Sequence, residues 1–323
     1  MSAVRQADLV LEGGGVKGLG AAGAVIRLLE RGFRFERVAG TSVGALAAAL
    51  VAAGVDADGL SEAMSRLVLR KVPDRSAPPI AVVSEGLSWL TGGHLYQGEY
   101  VRDWLYGELA ALGIRTFGDL RRDDAADDAR LGGERRYKLV VMATDITHGR
   151  LLRLPWDYRR LYGLDPDEQV VADAVRMSLS IPFYFQARTL TAVPGGEVST
   201  VVDGGVLSNF PVEVFDRTDG VAPRWPTFGV RMLPDLPEGL PGAFPVLHWL
   251  PPQLQMFVEV VATTLLGRDQ THLDLPGVRA RMIDVDTSGV GVVDFGLPES
   301  DRRMLLDRGA KAVDDFLAQW NRA

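Results

Sequence analysis

The sequence predicts an α/β fold built on a parallel sheet flanked by helices. Two short apolar runs, at 8–12 and 35–39, alternate with two helical patterns, at 16–31 and 43–53. Strand–helix–strand–helix order within 55 residues leaves room only for crossover connections, which join parallel strands. Further short β runs appear downstream between helical segments, which extends the same architecture.

Each element has its own signal. Leu9, Val10 and Leu11 form an apolar run that ends at Gly13, as a buried strand does. Ala21, Val25, Leu28 and Leu29 recur at helical spacing and stop at Gly32. Residues 35–39 read as a second strand and 43–53 as an Ala-rich helix. Residues 60–69 and 99–112 read as helices, joined through a Pro-containing connector at 72–79. Residues 119–136 mix charges of both signs, the pattern of a solvated loop. Strands are expected at 137–143, 200–202, 227–232 and 281–285, and helices at 253–266 and 300–320. No internal repeat or long linker divides the chain, so one domain over residues 7–320 is expected.

Composition narrows the function classes. Of 323 residues, 47% are hydrophobic and 24% charged, which is ordinary for a globular protein. A net charge of −7 argues against nucleic acid as a partner and against general attraction to anionic membranes. The absence of cysteine excludes disulfides, thiol catalysis and cysteine metal sites. Residues 1–8 lack the apolar core of a secretory signal, so a cytoplasmic location is expected. Residues 38–55 are uncharged throughout, but Gly40, Thr41, Ser42 and Gly44 interrupt the start. The helix that remains is too short to cross a bilayer and is expected to be buried.

Three segments carry chemistry. Gly40-Thr41-Ser42-Val43-Gly44 is a G-x-S-x-G turn between an expected strand and helix. Such a turn holds the serine exposed and aims the amides of the next helix at developing negative charge. Gly13-Gly14-Gly15-Val16-Lys17-Gly18 opens a helix with unobstructed N–H groups, which suits an oxyanion hole. Gly13, Gly15 and Gly18 also satisfy G-x-G-x-x-G, with Glu36 near the distance of a ribose-binding acid. In that rival reading the acid should end its strand, whereas Glu36 stands near the start of one. Asp203-Gly204-Gly205 follows a β run, where its carboxylate either reaches a neighbouring turn or bonds its own backbone. Four histidines are present, His94, His148, His248 and His272, and none lies in a recognisable triad motif.

Taken together, these blocks resemble the patatin-like phospholipase family. The resemblance rests on the Gly13–Gly18 block, the Ser42 turn, Ser178-Leu179-Ser180-Ile181-Pro182, and Asp203-Gly204-Gly205 with Asn209 and Pro211. Softer matches lie at 116–120 and 143–145, and the last hundred residues add only a helical ending. The resemblance implies a three-layer sandwich whose central, mostly parallel sheet carries helices on both faces. It further implies a serine lipid acyl hydrolase, a phospholipase A or lysophospholipase that forms an acyl-enzyme on Ser42. Asp203 would be the base, with no histidine. The amides of Gly13, Gly14, Gly15 and Val43 would form the oxyanion hole, and Lys17 matches the family's basic position, near a lipid phosphate or over the helix start. Neither metal nor cofactor is required, and the partner is an acyl-ester lipid, with a transient membrane contact. Rival classes are a dinucleotide-binding protein and a non-catalytic lipid-binding module.

A lipid substrate needs an apolar entry. Candidates are residues 80–95 with Trp89, residues 155–162, where aromatics and arginines alternate, and residues 244–257 with Trp249. Internal packing is the competing expectation for most of these aromatics, and it is the preferred one for residues 244–257.

Overall fold

The computed structural model describes residues 5–74, 96–122, 136–233, 263 and 276–320. Eight strands form one sheet: β1 (Arg5–Leu11), β2 (Phe33–Thr41), β3 (Leu139–Asp145), β4 (Arg150–Leu154), β5 (Arg188–Thr191), β6 (Val198–Asp203), β7 (Thr227–Leu233) and β8 (Met282–Asp286). Their order is β5-β6-β3-β2-β1-β7-β8, with β4 also paired to β3. Strands β3, β2, β1, β7 and β8 are mutually parallel, and β4, β5 and β6 extend the sheet through antiparallel pairs. The fold is thus α/β on a mixed sheet. Its parallel core is the one expected, while β4 and β5 are strands that sequence patterning missed.

Six longer helices accompany the sheet: α1 (Gly18–Glu30), α2 (Val43–Ala52), α3 (Ala57–Arg66), α4 (Glu99–Ala111), α5 (Val171–Ser178) and α6 (Glu299–Trp320). Helix α3 starts earlier than the sequence suggests. Asp56 caps it, its side chain accepting from the Gly59 amide at 2.9 Å. It also stops earlier, at an extended Leu67, before a short 3₁₀ turn at Leu69–Lys71. The expected helix at 253–266 lies outside the described residues apart from Thr263, and so does loop segment 123–135.

Helix α2 is buried on every side from Gly44 to Ala52. That accounts for its uniformly apolar composition, since a helix with no solvent face has no use for a polar stripe. Among the described residues no helix is long and apolar enough to cross a membrane.

Helices α1 and α6 pack backbone to backbone. A Cβ at Gly309 would lie 2.0 Å from the Gly20 carbonyl oxygen, and one at Gly23 would lie 2.2 Å from that of Leu306. Arg27 closes one end of this seam on Asp314 at 2.7 Å. Phe316 and Trp320 stack on each other and meet the edge of Phe228 from β7. Gly309→Val should force the two helices apart at a cost of about 1–3 kcal/mol. A lowered thermal midpoint is therefore expected; an unchanged one would mean that the seam yields freely.

Candidate active site

Register in the sheet assembles the site. Thr41, the last residue of β2, pairs with Met142 of β3, and Asp203, the last residue of β6, pairs with Ala143. Two consecutive β3 residues therefore hold the residue before Ser42 and Asp203 itself.

Ser42 forms the turn from β2 into α2 with φ 53° and ψ −126°. A non-glycine residue held there stores roughly 1–3 kcal/mol of backbone strain. The flanking glycines are required by close approach. A Cβ on Gly40 would lie 2.5 Å from the Gly44 carbonyl, and one on Gly44 would lie 2.5 Å from the carbonyl oxygens of Leu11 and Glu12. The Ser42 amide donates to Ser178 Oγ at 2.8 Å, and that hydroxyl donates to the Met142 carbonyl at 2.6 Å. The elbow is thereby tied to both α5 and β3.

Asp203 is 1% exposed and caps a 3₁₀ turn at Gly204–Val206. Its Oδ1 accepts from the Gly205 amide at 2.9 Å, which is the local turn bond the sequence allowed for. Its Oδ2 is buried and makes no hydrogen bond. Burial is the main influence on this carboxyl and pushes its pKa up to about 7, against lowering by the Gly205 amide, the Ser42 hydroxyl and the Arg176 charge. The Ser42 hydroxyl is thus near enough to favour the anion without completing a bond to Oδ2. Such contacts tighten when substrate binds.

The glycine block lies against the elbow. A Cβ on Gly13 would stand 3.1 Å from Ser42 Cβ and 2.4 Å from Asn209 Oδ1. Asn209 fastens the block to the Asp203 turn: its Nδ2 donates to the Gly13 carbonyl at 3.0 Å, and its carbonyl accepts from the Gly13 amide at 3.2 Å. The Gly13 amide, expected among the oxyanion donors, therefore donates to Asn209 here. The Gly14, Gly15 and Val43 amides have no acceptor among the described residues. Gly15 has φ +56°, and its Cβ position is filled by the Val292 carbonyl, which also accepts from the Val16 amide at 2.9 Å. The C-terminal third thus buttresses the block, a role no motif announced.

Beside Ser42 opens an apolar cavity. Gly15, Val43, Leu46, Met64, Phe185 and Phe295 are among its walls, and Arg176 is its one charged side chain among the described residues. Its lining is almost wholly apolar, the setting of an acyl chain more than of a nucleotide. Lys17 is 2% exposed and does not border this cavity. Glu36 sits in the first half of β2, where it accepts from Gln6 Nε2 at 2.7 Å. It stands five positions before Thr41, roughly 16 Å along an extended strand. The dinucleotide reading thereby loses its ribose-binding acid.

Other expectations are corrected or left outside. Residues 155–162 do not form an interfacial patch: Trp156, Tyr158 and Tyr162 are buried, and Arg160 pairs with Asp157 at 2.6 Å. Tyr162 instead donates to Asp145 Oδ2 at 2.8 Å. His148 bonds Asp145 at 2.9 Å and Glu197 at 3.1 Å, in a cluster that does not border the cavity. His94, His248, His272 and the entry candidates at 80–95 and 244–257 lie outside the described residues. No group of acidic or histidine side chains among those described could hold a metal ion.

The sequence profile of the patatin-like phospholipase family matches residues 9–216, nearly two thirds of the chain. The chain belongs to the patatin-like phospholipase family. YqhO of Bacillus subtilis is 34% identical over 320 residues, covering 97% of this chain and 98% of that protein. An NTE family protein of Mycobacterium tuberculosis is 29% identical over 306 residues, which cover 90% of this chain but 43% of the longer relative. Among solved structures, VipD of Legionella pneumophila superposes with a TM-score of 0.54 at 18% identity, covering 97% of this chain and 67% of that one. ExoU, in its complex with SpcU from Pseudomonas aeruginosa, gives 0.51 at 21% identity, covering 98% and 52%. These structures share the fold.

The raised pKa of Asp203 predicts a pH-dependent cost to stability. An unfolded chain releases this proton near the ordinary aspartate pKa, whereas the folded chain keeps it to about pH 7. Folding stability attributable to Asp203 is therefore lost as pH rises between those values. Asp203→Asn should melt higher than the parent by a margin that grows from pH 5 to pH 8. A margin independent of pH would contradict the burial assigned to this carboxyl.

Proposed function

We propose that the protein hydrolyses fatty-acyl esters of phospholipids or lysophospholipids through an acyl-enzyme on Ser42, with Asp203 as base. Family membership supports lipid acyl hydrolysis. The observation that carries the residue assignment is the buried, unbonded Asp203 Oδ2 facing a strained serine at the mouth of an apolar cavity.

In this mechanism Asp203 Oδ2 takes the Ser42 hydroxyl proton as Oγ attacks the ester carbonyl. The amides of Gly14, Gly15 and Val43 receive the oxyanion, where each such donor is worth about 10²–10³ in rate. Collapse expels the alcohol, which takes the proton from Asp203 and leaves the acyl group on Ser42. Water then yields a proton to Asp203 and attacks the acyl-enzyme; collapse returns the proton to Ser42 and frees the fatty acid. An ordinary aspartate is too weak a base for this work, and burial is what raises its proton affinity toward working pH. The acyl chain occupies the cavity along α2, past Leu46 and Ala47. Those two residues lie one helical turn beyond Ser42. A membrane-surface encounter would deliver the substrate, in a cell compartment that we take to be the cytoplasm.

Hydrolysis of positionally labelled phospholipids tests the reading. Ser42→Ala should abolish turnover, and Asp203→Asn should lower kcat by about 10³–10⁴-fold, as loss of a base's proper protonation does elsewhere. Ser42→Ala with parental activity would end the proposal.

Two further outcomes belong to the same assay. The parent's kcat/KM should fall about tenfold per pH unit below roughly pH 7, because the base must be ionised. Ala47→Phe should raise KM for long-chain esters by about tenfold or more while sparing short-chain esters. Equal effects on both would place the chain elsewhere.

A further inference from the structure

The end of α5 touches both members of the candidate dyad. Ser178 Oγ accepts from the Ser42 amide and donates to the Met142 carbonyl, at 2.8 and 2.6 Å, and Ser178 is fully buried. Two residues on, the Ser180 carbonyl accepts from the Asp203 amide at 2.9 Å. Ser180 Oγ in turn accepts from Arg176 Nη1 at 2.8 Å. One turn of chain therefore holds the backbone of the nucleophile with one serine and the backbone of the base with another.

Arg176 is the unusual partner in this arrangement. It is 1% exposed, it also donates to the carbonyls of Gln97 and Gln186, its guanidinium lies over the Phe185 ring at 5.6 Å, and its Nε is buried without a bond. No carboxylate among the described residues lies within ion-pair distance of it. A buried cation lacking a paired anion is costly, so its retention calls for a compensating interaction. The Phe185 ring face offsets part of that cost, while the bonds to two carbonyls account for its place without requiring a charge. Burial lowers its pKa to about 10, which leaves it charged at neutral pH. The charged groups that act on it are Arg188, Glu99, Asp74 and Asp203. Around Asp203 stand the Ser42 hydroxyl from the elbow, the Gly205 amide from its own turn and Arg176 from α5. Of these three only Arg176 carries charge.

We propose that residues 176–180 are the positioning element of the dyad, with Ser178 fixing the Ser42 elbow and Arg176 supplying the cationic field that favours the ionised Asp203. This goes beyond the hydrolase reading and rests on it. Neither side chain takes part in bond making. Ser178 sets the direction of attack through the Ser42 backbone, and Arg176 lowers the pH at which Asp203 becomes a base, against the larger opposing effect of burial. The serines of this block, which the sequence offers only as part of the family resemblance, thereby gain a catalytic consequence.

Rates of Ser42 labelling by an alkyl fluorophosphonate, measured from pH 5 to pH 9, test this in the full chain. Ser178→Ala should lower the maximal labelling rate about ten- to a hundredfold, with the half-saturating probe concentration unchanged and the acidic limb unmoved. Arg176→Met should move the acidic limb up by about one pH unit, since an opposite charge is lost, while Arg176→Lys should leave the limb in place. Arg176→Gln, which keeps a donor for the buried carbonyls, is the second charge-removing variant should Met not fold. A purely structural role predicts lower midpoints of thermal unfolding with the limb fixed in all arginine variants, and that result would overturn the proposal. Parental labelling in Ser178→Ala would overturn it as well, and that variant decides alone if neither neutral arginine variant folds. Absence of Ser42 labelling in the parent protein would instead overturn the hydrolase reading, and this inference with it.

Discussion

The site depends on a single constraint of register along β3. Met142 pairs with the residue before Ser42, and Ala143 pairs with Asp203. Because side-chain direction alternates along a strand, a slip of one residue in either pairing would turn Asp203 away from the elbow. The two pairings differ in sense, parallel to β2 and antiparallel to β6. The antiparallel extension of the sheet is thus what brings a residue from late in the chain to a turn formed early in it.

Around that register the molecule is built to let backbones approach closely. Gly40 and Gly44 permit α2 to start against β1, Gly13 lets the glycine block lie on Ser42, and Gly15 admits the Val292 carbonyl. Each contact fixes a main-chain group where a side chain would otherwise stand. An anion-stabilising pocket gains from such rigidity, because donors already in place need not reorganise as charge develops. The same closeness commits the Gly13 amide to Asn209, while the Gly14, Gly15 and Val43 amides have no acceptor among the described residues.

Much of this was legible in the sequence, and the reason is local. Strand, glycine turn and helix lie within one short window at Ser42, so pattern and chemistry reinforce each other there. Asp203-Gly204-Gly205 was legible as a turn, and its meeting with Ser42 came only through family resemblance, since no local pattern encodes a tertiary pairing. Strands β4 and β5 escaped notice because they are short, and charged residues lie among their apolar ones. At residues 155–162 the pattern leaves a wet surface and internal packing both open, and the structure takes the second for the rings: Asp157 pairs Arg160 and the rings turn inward. Arg176 carried no signal, as a charged residue on an amphipathic helix normally faces water. Val292 and Phe295 reach the site from a segment with no motif of its own.

In the proposed mechanism Ser42, the unbonded Oδ2 of Asp203 and the amides of Gly14, Gly15 and Val43 act as one chemical unit. A crystal structure of the protein after reaction with a long-chain alkyl phosphonate probes that unit directly. The expected result is phosphorus bonded to Ser42 Oγ, a phosphonyl oxygen within hydrogen-bond distance of the Gly14, Gly15 and Val43 amides, and the alkyl chain between Leu46 and Phe295. Phosphorus on another residue, or a phosphonyl oxygen turned away from those amides, would contradict it.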